Sequence, residues 1–182
     1  MATPPTFSSG AVLTAAQMNS VGLWLVKTQT VGSAVSSVTV TGAFSADYDN
    51  YLILMSGGTG SAAHSSGMQL GASTTGYYTF LNYGDVATQS SLGAGRSNQN
   101  FAAWLGGCSG AGQAAHLTCQ VINPFKAMYT KILNGTYQNS NIYGTSQGEH
   151  RVATSYTSFI LTPDAGTLTG GTIFVYGYKG LV

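Results

Sequence analysis

The sequence predicts an all-β protein, an antiparallel β-sandwich of jelly-roll type preceded by an extended N-terminal arm and one short α-helix. Three observations predict it. Beyond residue 22, apolar residues recur with period two or in short continuous runs. Gly, Pro and Asn-Gly punctuation falls between those runs at short intervals. Helical periodicity is almost missing from the same stretch, so the strands must be joined by turns, as in sandwiches and barrels. The expected organisation is an arm and helix over residues 1–22 and a β-sandwich over residues 23–182.

The arm comes first. Pro4 and Pro5, with Phe7 as the one large apolar side chain nearby, cannot join a regular element and have little to fold around. Thr14-Ala-Ala-Gln17 then has the form of a capping box, in which the Thr hydroxyl meets the Gln17 amide and the Gln side chain returns to the Thr14 amide. Leu13 and Met18 are spaced as a hydrophobic staple, and Gly22 is a natural C-terminal stop. These seven residues, Pro4, Pro5, Phe7, Leu13, Thr14, Gln17 and Met18, form a candidate anchor.

From Leu23 the pattern turns strand-like. Trp24, Val26, Thr28 and Thr30 alternate with Leu25, Lys27 and Gln29; Val38 and Val40 alternate with Thr39 and Thr41; Leu52-Ile-Leu54 is an apolar strand core. Further strands are expected around Met68-Gln-Leu70, Tyr78-Thr-Phe-Leu81, residues 100–105, 116–122, 129–133 and 150–154, Ser158-Phe-Ile-Leu161 and residues 172–176. The breakers between them include Gly57-Gly58, Gly106-Gly107, Asn123-Pro124, Asn134-Gly135 and Gly170-Gly171. Residues 57–76 and 84–100 are rich in Gly, Ser, Ala, Thr and Gln. They are expected to be long exposed loops or segments ordered by a neighbouring subunit.

Charge narrows the function. Six basic and five acidic residues make only 6% of the 182 residues charged, against about 25% in an ordinary soluble domain. The surface must be neutral and polar, which favours a subunit packed into a permanent assembly. Lys27, Arg96, Lys126, Lys131, Arg151 and Lys179 form no stripe in the sequence, so binding to a nucleic-acid backbone is not expected. No apolar run reaches the length of a membrane span, so membrane insertion is not expected either. The opening residues lack the basic and apolar regions of a secretory signal. Cys108 and Cys119 are too few for a metal site; they are either two buried thiols on neighbouring strands or a cross-strand disulfide.

No constellation for catalysis stands out. Glycan hydrolysis needs two carboxylates facing one bond, and the whole stock is Asp47, Asp49, Asp85, Glu149 and Asp164. Asp47, Asp49 and Asp164 sit in turn-like contexts. Strand alternation puts His150 on the opposite face from Glu149 and Arg151. His64, His116 and His150 are far apart, no nucleophile elbow is present, and Gly57-Gly-Thr-Gly60 lacks the Lys-Ser/Thr of a phosphate loop. The expectation is a non-enzyme with no cofactor and no metal. Aromatic rings beside Asn, Gln and Ser hold sugars or proteins with little charge. Tyr77, Tyr78, Asn82 and Tyr83, with Tyr137, Asn139, Asn141 and Tyr143, are therefore the candidate recognition surface. The alternative is that these tyrosines pack between strands or subunits.

Three segments carry a resemblance. Residues 7–19, Phe-Ser-Ser-Gly-Ala-Val-Leu-Thr-Ala-Ala-Gln-Met-Asn, resemble the opening of many tailed-bacteriophage virion proteins. Residues 44–54, Phe-Ser-Ala-Asp-Tyr-Asp-Asn-Tyr-Leu-Ile-Leu, are similar to a strand of their fibre and receptor-binding modules, and residues 159–179 resemble the terminal strand pair. The middle of the chain carries no such likeness. The resemblance implies a β-sandwich that assembles as a homotrimer with other virion proteins of tail, baseplate or capsid. It also implies a virion location after synthesis in the host cytoplasm. A tail-fibre or receptor-binding subunit contacting a host-surface glycan or protein is the first expectation. A capsid decoration (cement or head-fibre) protein is the second, and a polysaccharide-degrading enzyme is the outsider.

Overall fold

A computed structural model describes residues 22–178 together with Gly10 and Val12. Among these residues there are thirteen β-strands, paired antiparallel throughout, and no helix. The helix expected from Thr14, and the candidate anchor as a whole, lie outside the described residues.

The strands are β1 (Trp24–Thr30), β2 (Val38–Val40), β3 (Asn50–Gly60), β4 (His64–Leu70), β5 (Tyr77–Asp85), β6 (Ser90–Gln99) and β7 (Ala102–Cys108). They continue as β8 (Ala114–Ile122), β9 (Thr130–Asn139), β10 (Ile142–His150), β11 (Phe159–Pro163), β12 (Leu168–Thr169) and β13 (Thr172–Tyr178). One path runs β2-β11-β4-β7-β8-β9-β10-β5-β6. β8 is the branch point. One of its edges pairs with β3, from Asn50↔Ile122 to Thr59↔Ala114, and β3 leads on to β13 and β1. Its other edge is divided between β7, through Gly106↔Leu117, and β9, through Val121↔Ile132.

Period-two alternation aims one side of several strands into a single core. Tyr51, Ile53 and Met55 of β3, Leu117, Cys119 and Val121 of β8, and Ile173 and Val175 of β13 meet Val38 and Val40 of β2, Met68 and Leu70 of β4, and Phe159 and Leu161 of β11. Each such side chain contributes about 1.5–3 kcal/mol through removal from water. The Tyr51 hydroxyl is satisfied locally: it accepts from Ser45 N at 2.8 Å and donates to Ser45 O at 3.1 Å. That contact closes the turn ahead of β3. Both cysteines are free and buried, each in its own surroundings. Cys119 lies opposite Ile53 and Cys108 opposite His64, and burial pushes the Cys119 thiol up to about 12.

β7 is buried along its whole length because it packs on both sides. Ala102, Leu105 and Cys108 belong to the main core, whereas Ala103 and Trp104 join Leu81 and Tyr137 in a second cluster against β5 and β9. A bulge in β7, where Ala102 to Gly106 spans only Met68 to Ser66 of β4, lets neighbouring residues serve the two cores, with Trp104 at φ 63°. Polar groups freed by the bulge find partners on the adjoining strands. Ala103 N donates to Thr79 Oγ1 at 3.4 Å, and Ser146 Oγ donates to Trp104 O at 2.7 Å. This explains two buried polar side chains, Thr79 and Ser146, in otherwise apolar surroundings.

The structure corrects several sequence expectations. Residues 84–100 are not a loop: ten of them form β6. β3 runs through Gly57-Gly58 with a register shift, Gly106-Gly107 lies inside β7, and Asn134-Gly135 lies inside β9. The strand expected over 150–154 ends at His150, where Arg151 N donates to Gly76 O at 2.8 Å.

Candidate functional site

β9, β10, β5 and β6 form one end of the long path, and their two faces differ in chemistry. Along β5, Tyr77, Thr79 and Leu81 are buried, while Phe80 and Asn82 are exposed and Tyr78 is half-buried. Cross-strand register extends the outer set: Glu149 lies opposite Tyr78, Gln147 opposite Phe80, Thr145 opposite Asn82 and Tyr143 opposite Gly84. On the far side of β10, Lys131 lies opposite Glu149 and Gln138 opposite Tyr143. Directly paired residues share a face, so one outer surface carries two exposed aromatic rings, Phe80 at 45% and Tyr143 at 48%, among neutral polar groups.

A groove of about 480 Å³ opens on this surface, between Tyr78, Phe80, Leu133 and the cations Lys131 and Arg151. Glu149 ties those two cations together: Lys131 Nζ and Arg151 Nε each donate to a different oxygen of its carboxylate. These hydrogen bonds, from Lys131 first and then Arg151, hold the Glu149 carboxyl below the usual carboxylate range. The Arg151 guanidinium also lies over the Tyr78 ring, 4.0 Å from its centroid. Arg96, paired with the buried Thr79, turns to the other face and lies over Trp104 of the second cluster, 4.8 Å from the ring centroid.

On the other face of β10, His150 is fully buried. Its ring stacks on Tyr77 with centroids 4.1 Å apart, and Nε2 is 2.7 Å from the Tyr156 hydroxyl. Burial holds this imidazole below its ordinary range. The alternation expected for residues 149–151 is thus observed, with Glu149 and Arg151 ion-paired outside and His150 inside.

The expected recognition residues divide between the faces. Tyr78, Asn82 and Tyr143 share the outer face, and Asn141 is exposed in the two-residue turn between β9 and β10. Tyr77 and Tyr137 leave the proposed surface. Tyr77 is fully buried, its hydroxyl accepting from Leu70 N at 2.6 Å and donating to Ser73 O at 3.3 Å, while Tyr137 packs in the second cluster. Tyr83 is half-buried against that cluster, and Asn139 is half-buried at the end of β9. Phe80, Arg96, Lys131, Leu133, Gln147 and Arg151 were not among the expected residues. The available signal was alternation: a residue two positions from Tyr78 on a strand shares its face, and so does Arg151 with Glu149.

The remaining chemistry-bearing groups are held in local contacts. Ser45 Oγ donates to Asp47 Oδ2 at 3.1 Å, Lys126 pairs with Asp49 at 2.8 Å, Asp85 accepts from Ala87 N at 2.9 Å, and Asp164 accepts from Ser65 N at 2.8 Å. His64 faces Ala62 O at 3.1 Å through Nδ1, and His116 faces Thr136 O at 2.9 Å through Nε2. Among the described residues no three His, Cys, Asp or Glu side chains come together as metal ligands do. No protein-family model, curated protein or solved structure matches this chain.

Proposed function

We propose that this chain is a structural subunit of a tailed-bacteriophage virion: a β-sandwich body that contacts the host surface through the outer face of β9, β10, β5 and β6. In this reading residues 1–22 attach it to other virion proteins. The observation that carries the host contact is the outer face itself, where Phe80, Tyr143, Asn82, Thr145 and Gln147 form an exposed aromatic and amide-rich surface. Such surfaces bind partners without needing charge of their own. The two limbs that diverge from β8 and share the main core serve as the layers of the sandwich.

Assembly into a homotrimer has a specific support. Among the described residues β6 pairs on one side only, with β5, and seven of its ten residues are exposed. A long open edge without Pro or a bulwark of charge invites pairing with another chain, and a second copy covers it most simply. A binding role rather than a catalytic one is favoured by the four aspartates, each of which already serves a turn, an ion pair or a backbone amide.

Imaging of intact particles with a gold-tagged antibody to this chain tests the proposal. Label at the tail tip or along fibres is the expected result. Label spread over the capsid replaces host contact with decoration, and the absence of label from particles overturns the virion reading altogether. Deleting residues 1–22 is expected to abolish incorporation while leaving a folded body.

A further inference from the structure

We infer that the groove beside Phe80 binds a sugar ring carrying an anionic group, with the ring's apolar face on Phe80 and the anion held by Arg151 and Lys131. As a host contact this rests on the reading above; as chemistry it rests on two features of the groove.

The first is charge. The chain has six basic residues and a net charge of +1, yet two of the six, Lys131 and Arg151, line this one groove with a single carboxylate, Glu149. Two cations against one anion leave the groove at +1. Pairing Glu149 requires one cation; placing the second beside it costs mutual repulsion that an anionic ligand would relieve. Donors remain for it as well. Arg151 contacts Glu149 through Nε, which leaves its two terminal amino groups, and Lys131 commits one of its three ammonium protons. The Glu149 contacts and the Tyr78 ring restrain both side chains, so little further ordering is needed on binding.

The second is the shape of the floor. Phe80 lies across Gly93 and Gly95 of β6: a Cβ at Gly93 would stand 3.1 Å from ring Cζ, and one at Gly95 would stand 3.8 Å from Cδ2. A side chain at Gly93 would press on the ring, one at Gly95 would meet it at ordinary contact distance, and the ring remains 45% exposed. An aromatic ring supported from below and open above is a platform for the C–H face of a pyranose, and Gln147, directly across the β5–β10 pair from Phe80, can bond ring hydroxyls from the side. A nucleic-acid backbone would need a longer track of cations than this groove has.

The test is titration of the purified full chain with trigalacturonate, with the neutral galactose trisaccharide, with galactose 6-phosphate and with inorganic phosphate. Saturable binding of trigalacturonate or of galactose 6-phosphate, weakened by salt and stronger than that of the neutral sugar or of inorganic phosphate, is expected, and the stronger of the two identifies a carboxylate or a phosphate source. Phe80→Ala should weaken it by about tenfold. Arg151→Gln should weaken it by at least about tenfold and remove the preference for the charged sugar. Unfolding temperatures of both variants check that the fold is intact. Equal binding of the neutral sugar, equal binding of inorganic phosphate, saccharide binding that neither substitution alters, or no binding at millimolar concentrations overturns the inference. Particles carrying Phe80→Ala separate the two readings. Normal adsorption after loss of saccharide binding overturns the host-contact reading and leaves the groove's chemistry standing; impaired adsorption without any saccharide binding does the reverse.

Discussion

β6 and β7 are consecutive strands built mainly of small residues, and their fates are opposite. All seven residues of β7 are buried, whereas β6 is exposed along most of its length. In β7 the small residues make room for other chains: a Cβ on Gly107 would stand 2.0 Å from Gln138 O, and one on Gly106 would stand 2.1 Å from His116 O. In β6 they make room for one ring, Phe80, and otherwise meet solvent. Small residues in a strand therefore mark close approach in one place and an open surface in the other. What separates the cases is the number of neighbours: β7 has strands on both edges and packed layers on both faces, and among the described residues β6 has only β5.

Four measurements sharpen or break this contrast. The largest effect is expected from Gly107→Ala, because the obstructing atoms are backbone carbonyls that cannot rotate away. A loss of about 3 kcal/mol or more, or failure to fold, should appear in urea unfolding. The matching change in β6, Gly95→Ala, meets only ordinary van der Waals contact and should stay within about 0.5 kcal/mol. If the two cost the same, the contrast fails. Next, Leu105→Ala in β7 should cost about 2–5 kcal/mol, since that side chain is fully buried, and Leu92→Ala in β6, 51% exposed, should cost well under 1 kcal/mol by the same assay.

The third measurement uses the two faces of β10. His150 is buried and titrates below its ordinary range, so the unfolded chain takes up a proton that the folded chain resists. Stability is therefore expected to be level above the unfolded value of about 6.5 and to fall as pH drops below it. Glu149 on the outer face is depressed by its cations, and its contribution is lost only at lower pH, through the carboxylate range. Unfolding temperatures of wild type and His150→Gln between pH 7 and 5 should converge as pH falls; parallel curves would remove His150 as the cause. The smallest effect is expected from Lys131→Ala. An exposed ion pair contributes about 0–1 kcal/mol, and the difference from wild type should shrink at high salt.

Much of the fold was legible because burial on one face writes an alternating pattern. β1, β8 and β13 lie where alternation places them, and the apolar run at Leu52 lies within β3. β6 was not legible. Its only large apolar side chain is Leu92, and hydrogen bonds to β5 rather than a buried face hold it in place. The glycine pairs misled for the opposite reason. Gly106-Gly107 and Asn134-Gly135 have the composition of turns, yet they sit inside strands where neighbouring chains leave no space for a side chain or where the register shifts. Of the candidate site, Tyr78, Asn82 and Tyr143 were nominated from composition, while Phe80 and Arg151 needed the strand's face to be known.

Local chemistry in the chain was enough to establish strands, antiparallel pairing, the scarcity of charge and the division of residues 149–151 between two faces, because each depends on side-chain type and a period of two. Which strands become neighbours depends on contacts between residues far apart in sequence, and no local pattern encodes them. Folding alone brought Lys131 and Arg151 to one groove and placed Tyr77 and Tyr137 in the interior. A side chain's surroundings are set by whichever strand lands beside it, and for β8, with β3 on one edge and β7 and β9 sharing the other, that choice shaped the whole molecule.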